Sequence, residues 1–305
     1  MTSSPFLTLD PEFAALVPAG ARLERIDAHA EWSEGPVWLQ TEGCLVWSDV
    51  VANCMRRWSP EAGLGIFRSP SQFANGSTLD LEGRIVSCEH GRRCISRTER
   101  DGSVTVLVDK FDGDHRFNSP NDVVVKSDGS IWFTDPPYGI ISNREGYTAP
   151  SQIVGSWVYR FDPATGATTV AAYDVQRPNG LAFSPDERTL YVADMSIVDF
   201  PTQGHRHLRA YDVQDGCRLA NGRFIAEVAP GIPDGFRVDQ QGRIFCSSEE
   251  GIQVFAPSGR RLGTIQVPER VSNCTFGGDR WDTLYITATT SVYWVRLNTR
   301  GAVQR

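Results

Sequence analysis

The sequence repeats itself six times, and that repeat limits the fold more than any other feature. The segments are SEGPVWLQTEGCLVWSDV (33–50), ANGSTLDLEGRIVSCEHG (74–91), PNDVVVKSDGSIWFTDPP (120–137), PNGLAFSPDERTLYVADM (178–195), PDGFRVDQQGRIFCSSEE (233–250) and SNCTFGGDRWDTLYITAT (272–289). Each opens on a polar residue, usually followed by Gly. An alternating apolar stretch, a turn rich in Asp, Gly, Pro or Glu, and a second run of β-formers follow. That order is strand, tight turn, strand. Gly129, Gly83 and Gly242 close the turns Ser127-Asp128-Gly129, Leu81-Glu82-Gly83 and Gln240-Gln241-Gly242, where φ > 0 is expected. Hairpin patterns at 157–173, 208–227 and 251–267 bring each repeat to about four strands. The opening residues 34, 75, 121, 179, 234 and 273 are spaced by 41, 46, 58, 55 and 39. Four-stranded units of that size are propeller blades, and six of them predict an all-β, six-bladed β-propeller around a central channel.

The expectation is a single domain over 1–305, with about the first 20 residues as a peripheral extension. One short helix is expected around 10–17, with Asp10 as its cap and Pro11 in its first turn. The two longest spacings imply insertions at 143–153 and 196–207 on one face. Length alone, at about 150 residues per domain, would suggest two domains. The repeat overrides it, since 305/6 is about 51 residues per unit.

The 40% apolar content excludes a disordered chain. Lys plus Arg number 30 against 37 Asp plus Glu, a net charge of −7 without a basic cluster. That balance argues against nucleic acid and anionic membranes as partners. No apolar run approaches the ~18 residues of a membrane helix. The N-terminus lacks the basic start and clean apolar stretch of a secretory signal, so a cytoplasmic protein is expected. Seven cysteines, an odd number with no CxxC, read as reduced thiols. Cys44/Cys54 and Cys88/Cys94 would pair only where strand geometry allowed. The eight Trp, mainly on strand repeats (Trp38, Trp47, Trp132, Trp157, Trp294), read as blade packing. A monomer or weak homo-oligomer is expected. GxSxG, GxxxxGK[ST] and strand-GxGxxG-helix motifs are absent from the sequence, which argues against a serine esterase and a nucleotide binder.

In a propeller the innermost strand of each blade lines the channel. The equivalent residues are Glu34, Asn75, Asn121, Asn179, Asp234 and Asn273, and all six carry a side-chain oxygen. Two carboxylates and several amides form a hard-oxygen cage. Such a cage selects one divalent cation, Ca²⁺ first, then Mg²⁺ or Mn²⁺, with Zn²⁺ disfavoured for want of nitrogen and sulfur ligands. The competing reading is that the Asn-Gly and Asp-Gly pairs only form turns.

At these residues the chain resembles the SMP-30, gluconolactonase and luciferin-regenerating-enzyme-like family, which includes diisopropyl fluorophosphatase-like enzymes. Ser33-Glu34-Gly35-Pro36, Ser119-Pro120-Asn121-Asp122, Arg177-Pro178-Asn179-Gly180 and Pro233-Asp234-Gly235 stand in the family's order. The stretches Phe117 to Val123 and Phe133 to Gly139 look most like bacterial gluconolactonases. The resemblance implies a six-bladed propeller with one catalytic divalent ion, held by Glu34, Asn121, Asn179 and Asp234. Asn75 and Asn273 match no metal ligand of the family and are expected behind the ligands or facing substrate. The phosphofluoridate-cleaving branch has a His near its last blade for a second calcium; Asn273 stands at the repeat position here.

The chemistry expected is metal-dependent hydrolysis of a sugar lactone, D-glucono-1,5-lactone foremost, with Asp234 as base. Asp234 as ligand only, or as nucleophile, stays open. So do a different lactone or a phosphotriester as substrate, and a non-catalytic scaffold with a structural calcium. His90, Asn118, Asp135 and Tyr138, near the expected mouth, join Asn75 and Asn273 as candidate substrate contacts. His205 and His207 read as a solvated loop.

Overall fold

The computed structural model describes residues 4–26 and 29–302. Its strands form six antiparallel sheets in chain order around a ring. Blade 1 comprises Ser33–Leu39, Cys44–Asp49, Cys54–Ser59 and Gly63–Arg68; blade 2 comprises Ala74–Leu79, Ile85–Glu89, Cys94–Thr98 and Val104–Val108. Blade 3 comprises Val123–Val125, Ile131–Asp135, Trp157–Asp162 and Ala167–Ala172; blade 4 comprises Pro178–Phe183, Thr189–Asp194, His207–Gln214 and Arg218–Glu227. Blade 5 comprises Phe236–Val238, Ile244–Ser248, Gly251–Phe255 and Arg261–Gln266, and blade 6 Val271–Gly277, Thr283–Ala288 and Val292–Arg296. The innermost strands neighbour one another in order, and that of blade 6 meets that of blade 1. The predicted six-bladed propeller is therefore the fold.

Just past the first 20 residues, the chain's N-terminal end completes the last blade. Glu24–Ile26 pairs with Val292–Arg296 and supplies the fourth strand of blade 6. Phe6–Thr8 pairs with Arg261–Gln266 as a fifth strand on blade 5. Between them lies the expected helix, Pro11–Leu16, with Asp10 Oδ1 accepting from the Glu12 amide at 2.9 Å. Its Phe13 and Leu16 are buried between blades 5 and 6.

The core is divided among six clusters, one between each adjacent pair of blades. The two-residue period of a strand explains this. Val123 and Val125 face blade 2, whereas Val124 between them faces blade 4. A strand sandwiched on both sides must be apolar on both, and the innermost strand of blade 1 is buried at every residue. Outer strands such as Gly63–Arg68 are only partly covered. Trp47 and Trp132 are fully buried, and Trp38 stacks on Tyr285 with ring centroids 5.2 Å apart. Gly83, Gly129 and Gly242 have positive φ, as the turn reading requires. All seven cysteines are free thiols. No helix among the described residues is long and apolar enough to cross a membrane.

Candidate metal centre

The six repeat-opening residues sit at one rim of the channel, where the innermost strands begin. In blades 1, 2, 4 and 6 each lies in a register break between the first and second strands. In blades 3 and 5 it lies two residues before the strand. Strands are freed from ladder pairing there, so neighbouring blades bond to each other instead. Gly76 N donates to Asn121 O (2.8 Å), Gly180 N to Asp234 O (3.0 Å) and Gly235 N to Ser272 O (2.7 Å). This close approach explains the Gly after the polar residue. A Cβ on Gly76 would lie 2.4 Å from Asn121 O, and one on Gly180 would lie 2.4 Å from Asp234 O. The X-Gly pairs therefore serve contact between blades rather than turns.

All six residues are buried: Glu34, Asn75, Asn121, Asn179, Asp234 and Asn273. Glu34 Oε2 accepts from the Gly35 amide at 2.8 Å and from Asn273 Nδ2 at 3.3 Å. Asp234 is hydrogen-bonded by Asn179, whose Nδ2 also donates to Met195 Sδ at 2.8 Å. Asn75 Nδ2 meets His90 Nε2 at 3.1 Å. Asn121 packs here through its backbone, its carbonyl accepting from Gly76 N–H and its own N–H donating to Thr134 O.

Burial, reinforced by the charges of Asp234 and Asp122, pushes the Glu34 carboxyl well above the usual carboxylate range. Burial likewise pushes Asp234 up to about 7, opposed by Arg270 and assisted by Asp122. Among the described residues neither carboxylate has an ion-pair partner within 4 Å. Asp122 does: Arg237 lies 3.4 Å away and also donates to Ser77 O and Phe236 O. This guanidinium of blade 5 thus reaches blades 2 and 3, and it lines a cavity of about 330 Å³ together with Pro36, Val37, Ser77 and Val124.

Two buried carboxylates without a counter-ion, beside amide oxygens, suit a hard divalent cation. Among the described residues no three His, Cys, Asp or Glu side chains group to hold a metal. The candidate donors are thus one Asp and one Glu with Asn residues beside them. His205 and His207 stack on each other with centroids 4.5 Å apart and belong to no such cluster.

Both insertions join second to third strands, at the rim that carries the six residues. The blade 3 insertion docks on blade 2, with Glu145 O 2.9 Å from His90 Nδ1 and Tyr147 edge-on to Phe73. In the blade 4 insertion Asp199 pairs with Arg177 at 2.5 Å. Tyr138, on the short helix Tyr138–Ile141 that leads into the blade 3 insertion, has a buried hydroxyl without a partner among the described residues. Burial raises its pKa, and Asp199, Arg177 and Asp234 are among the charges acting on it.

Asn118 and Asp135 lie below the rim and hold each other. The Asn118 amide donates to Asp135 Oδ2 at 2.8 Å, and its side chain donates to the Asp135 and Gly155 carbonyls. Burial pushes Asp135 up to about 7. The same device recurs where second strands end. Asp49 accepts from the Glu31 and Trp32 amides, and Asp194 from those of Gln176, Arg177 and Ser196. These carboxylates staple the strand connectors that form the mouth. Sequence reasoning missed Asp49, Asp194, Asp122, Arg237 and Arg270. The staples carried a readable signal, an acid closing four consecutive blades' second strands (Asp49, Glu89, Asp135, Asp194).

Comparisons with known proteins agree with this architecture. The profile of the SMP-30/Gluconolactonase/LRE-like region matches residues 32–290. A gluconolactonase of Zymomonas mobilis is 34% identical, over 95% of this chain and 85% of its own. A pentonolactonase of Haloferax volcanii is 29% identical, over 86% of this chain and 83% of its own. A solved gluconolactonase structure from Xanthomonas campestris superposes with a TM-score of 0.89 at 38% identity, covering 96% of this chain and 95% of the other.

Proposed function

The chain belongs to the SMP-30/gluconolactonase/LRE-like family, a carboxylic-ester hydrolase of lactones, and we propose that it opens a sugar lactone, D-glucono-1,5-lactone to gluconate, with one divalent cation at the rim. The observation that carries this reading is the pair Glu34 and Asp234, buried carboxylates without a cation of the protein's own within ion-pair distance.

Glu34, Asn121, Asn179 and Asp234 would hold the ion, Ca²⁺ by the hardness of the donors. A divalent cation there supplies Lewis acidity toward an ester carbonyl and favours ionisation of water. Asp234 takes the proton of the attacking water. It is held for that role by Asn179 and by the Ser247 hydroxyl, 2.8 Å from its backbone amide. Asn273 fixes the Glu34 carboxylate from behind. Asn75 and Tyr138 would meet the sugar hydroxyls, with His90 held behind Asn75. Asn118 and Asp135 support the wall of that mouth.

Turnover of gluconolactone, followed by acid release and corrected for spontaneous hydrolysis, tests the proposal. Chelator is expected to lower kcat/KM at least about a hundredfold, and Ca²⁺ to restore it. Turnover indifferent to chelator would remove the metal from the reading. Turnover confined to a phosphotriester or another lactone would replace the substrate.

A further inference from the structure

His90 lies in the loop between the second and third strands of blade 2, its residue 1% exposed. Both ring nitrogens have partners, Glu145 O at 2.9 Å from Nδ1 and Asn75 Nδ2 at 3.1 Å from Nε2. A carbonyl oxygen only accepts, so the ring proton is on Nδ1. Burial keeps the ring neutral, its pKa down at about 4. Nε2 is then a bare lone pair, and Asn75 Nδ2 donates to it. This contact settles which way round the Asn75 amide sits. Its nitrogen is held by His90, and its oxygen occupies the opposite edge. Oδ1 has no partner among the described residues and is not among the buried unsatisfied atoms. It is an acceptor the described residues leave open, at the repeat position of blade 2 whose backbone packs against Gly35, the residue after Glu34. The insertion of blade 3 holds the imidazole from the other side, where a Cβ on Gly139 would lie 2.5 Å from His90 Cβ.

We propose that His90 is a positioning residue for substrate recognition, locking the Asn75 amide so that Oδ1 accepts a hydrogen bond from a hydroxyl of the lactone. An unlocked amide would turn either edge to the substrate, whereas a locked one selects a ligand with a donor at that place. The inference rests on the sugar-lactone reading above and adds the specificity element to it.

Kinetics on two lactones test it: gluconolactone, and δ-valerolactone, which has no ring hydroxyl. Asn75→Ala and His90→Phe are each expected to raise KM for gluconolactone about tenfold, with kcat within about threefold. The double variant should be no worse than Asn75→Ala alone, because the second change removes a support that no longer acts. His90→Gln, whose amide oxygen can accept from Asn75, should stay within about threefold of the parent. Kinetics on δ-valerolactone and Ca²⁺ affinity by calorimetry should not change. Additive losses, equal losses on both lactones or a fall in Ca²⁺ affinity would overturn the assignment. Nitrogen-15 NMR of the histidine ring decides the geometry independently of activity. The Nδ1–H form is expected, and the Nε2–H form would overturn the lock, including where His90→Phe fails to fold. A parent protein that turns over neither lactone would sink the lactonase reading instead, and the ring spectrum would still judge His90.

Discussion

Glu34 and Asp234 are costly to the protein without a cation. Asp234 ionises near 7 in the fold against an ordinary 3.8, so the metal-free fold holds a proton that the unfolded chain releases. Stability of the chelated protein from this group is therefore greatest below 3.8 and falls as pH rises toward 7. At pH 8 in chelator, Asp234→Asn and Glu34→Gln are each expected to melt above the parent. In saturating Ca²⁺ the order should reverse, and both variants should lose lactone turnover; calorimetric melts under the two conditions check it. His90 has the opposite sign. Its folded pKa of about 4 lies below the ordinary 6.5, so its contribution is complete above 6.5 and is lost as pH falls to about 4. Relative to His90→Gln, the parent should lose about 3 kcal/mol across that window in urea titrations. The six ring positions were legible because a repeat aligns them. The His90–Asn75 contact was not, because its third member, Glu145 O, comes from an insertion outside the repeat.

Among the elements, the second strands do two jobs. Their middles pack blade against blade, and in blades 1, 3 and 4 their acidic ends, Asp49, Asp135 and Asp194, hold connector amides. Asp194 alone satisfies three amides, those of Gln176, Arg177 and Ser196. Asp194→Ala would leave those donors without their acceptor at a buried site. It is expected to cost about 2–4 kcal/mol, read by urea unfolding. Asp135 belongs to the same series, so a carboxylate beside the mouth is as much a strand terminator as a candidate contact. The strands were legible from alternation and turn residues. Their ends were not, because an acid after a β-run fits a turn, a ligand or a staple equally well.

For the whole molecule, closure of the ring rests on Glu24–Ile26, which completes blade 6 from the other end of the chain. Ile26 joins the apolar cluster shared by blades 6 and 1. Deleting residues 1–30 removes that strand and is expected to abolish a single cooperative melt. Deleting residues 1–9 removes only the extra strand of blade 5 and should leave the melt cooperative. Phe13→Ala, which empties a fully buried site between blades 5 and 6, should cost about 3–5 kcal/mol with the ring still closed. Circular dichroism melts separate the three outcomes.

The sequence by itself determined the number of blades, the order of their strands and the six polar residues at the rim. Those features depend on period and turn chemistry, which are local and recur six times. Only the tertiary structure decided that Arg237 pairs with Asp122, and that among the described residues Glu34 and Asp234 have no ion-pair partner within 4 Å. The same holds for the N-terminal strand in blade 6 and for the imidazole that holds Asn75. The first joins blades 5 and 3, the second joins the two ends of the chain, and the third depends on Glu145 from the blade 3 insertion, so a side chain's charge state and partner depend on what the closed ring brings against it.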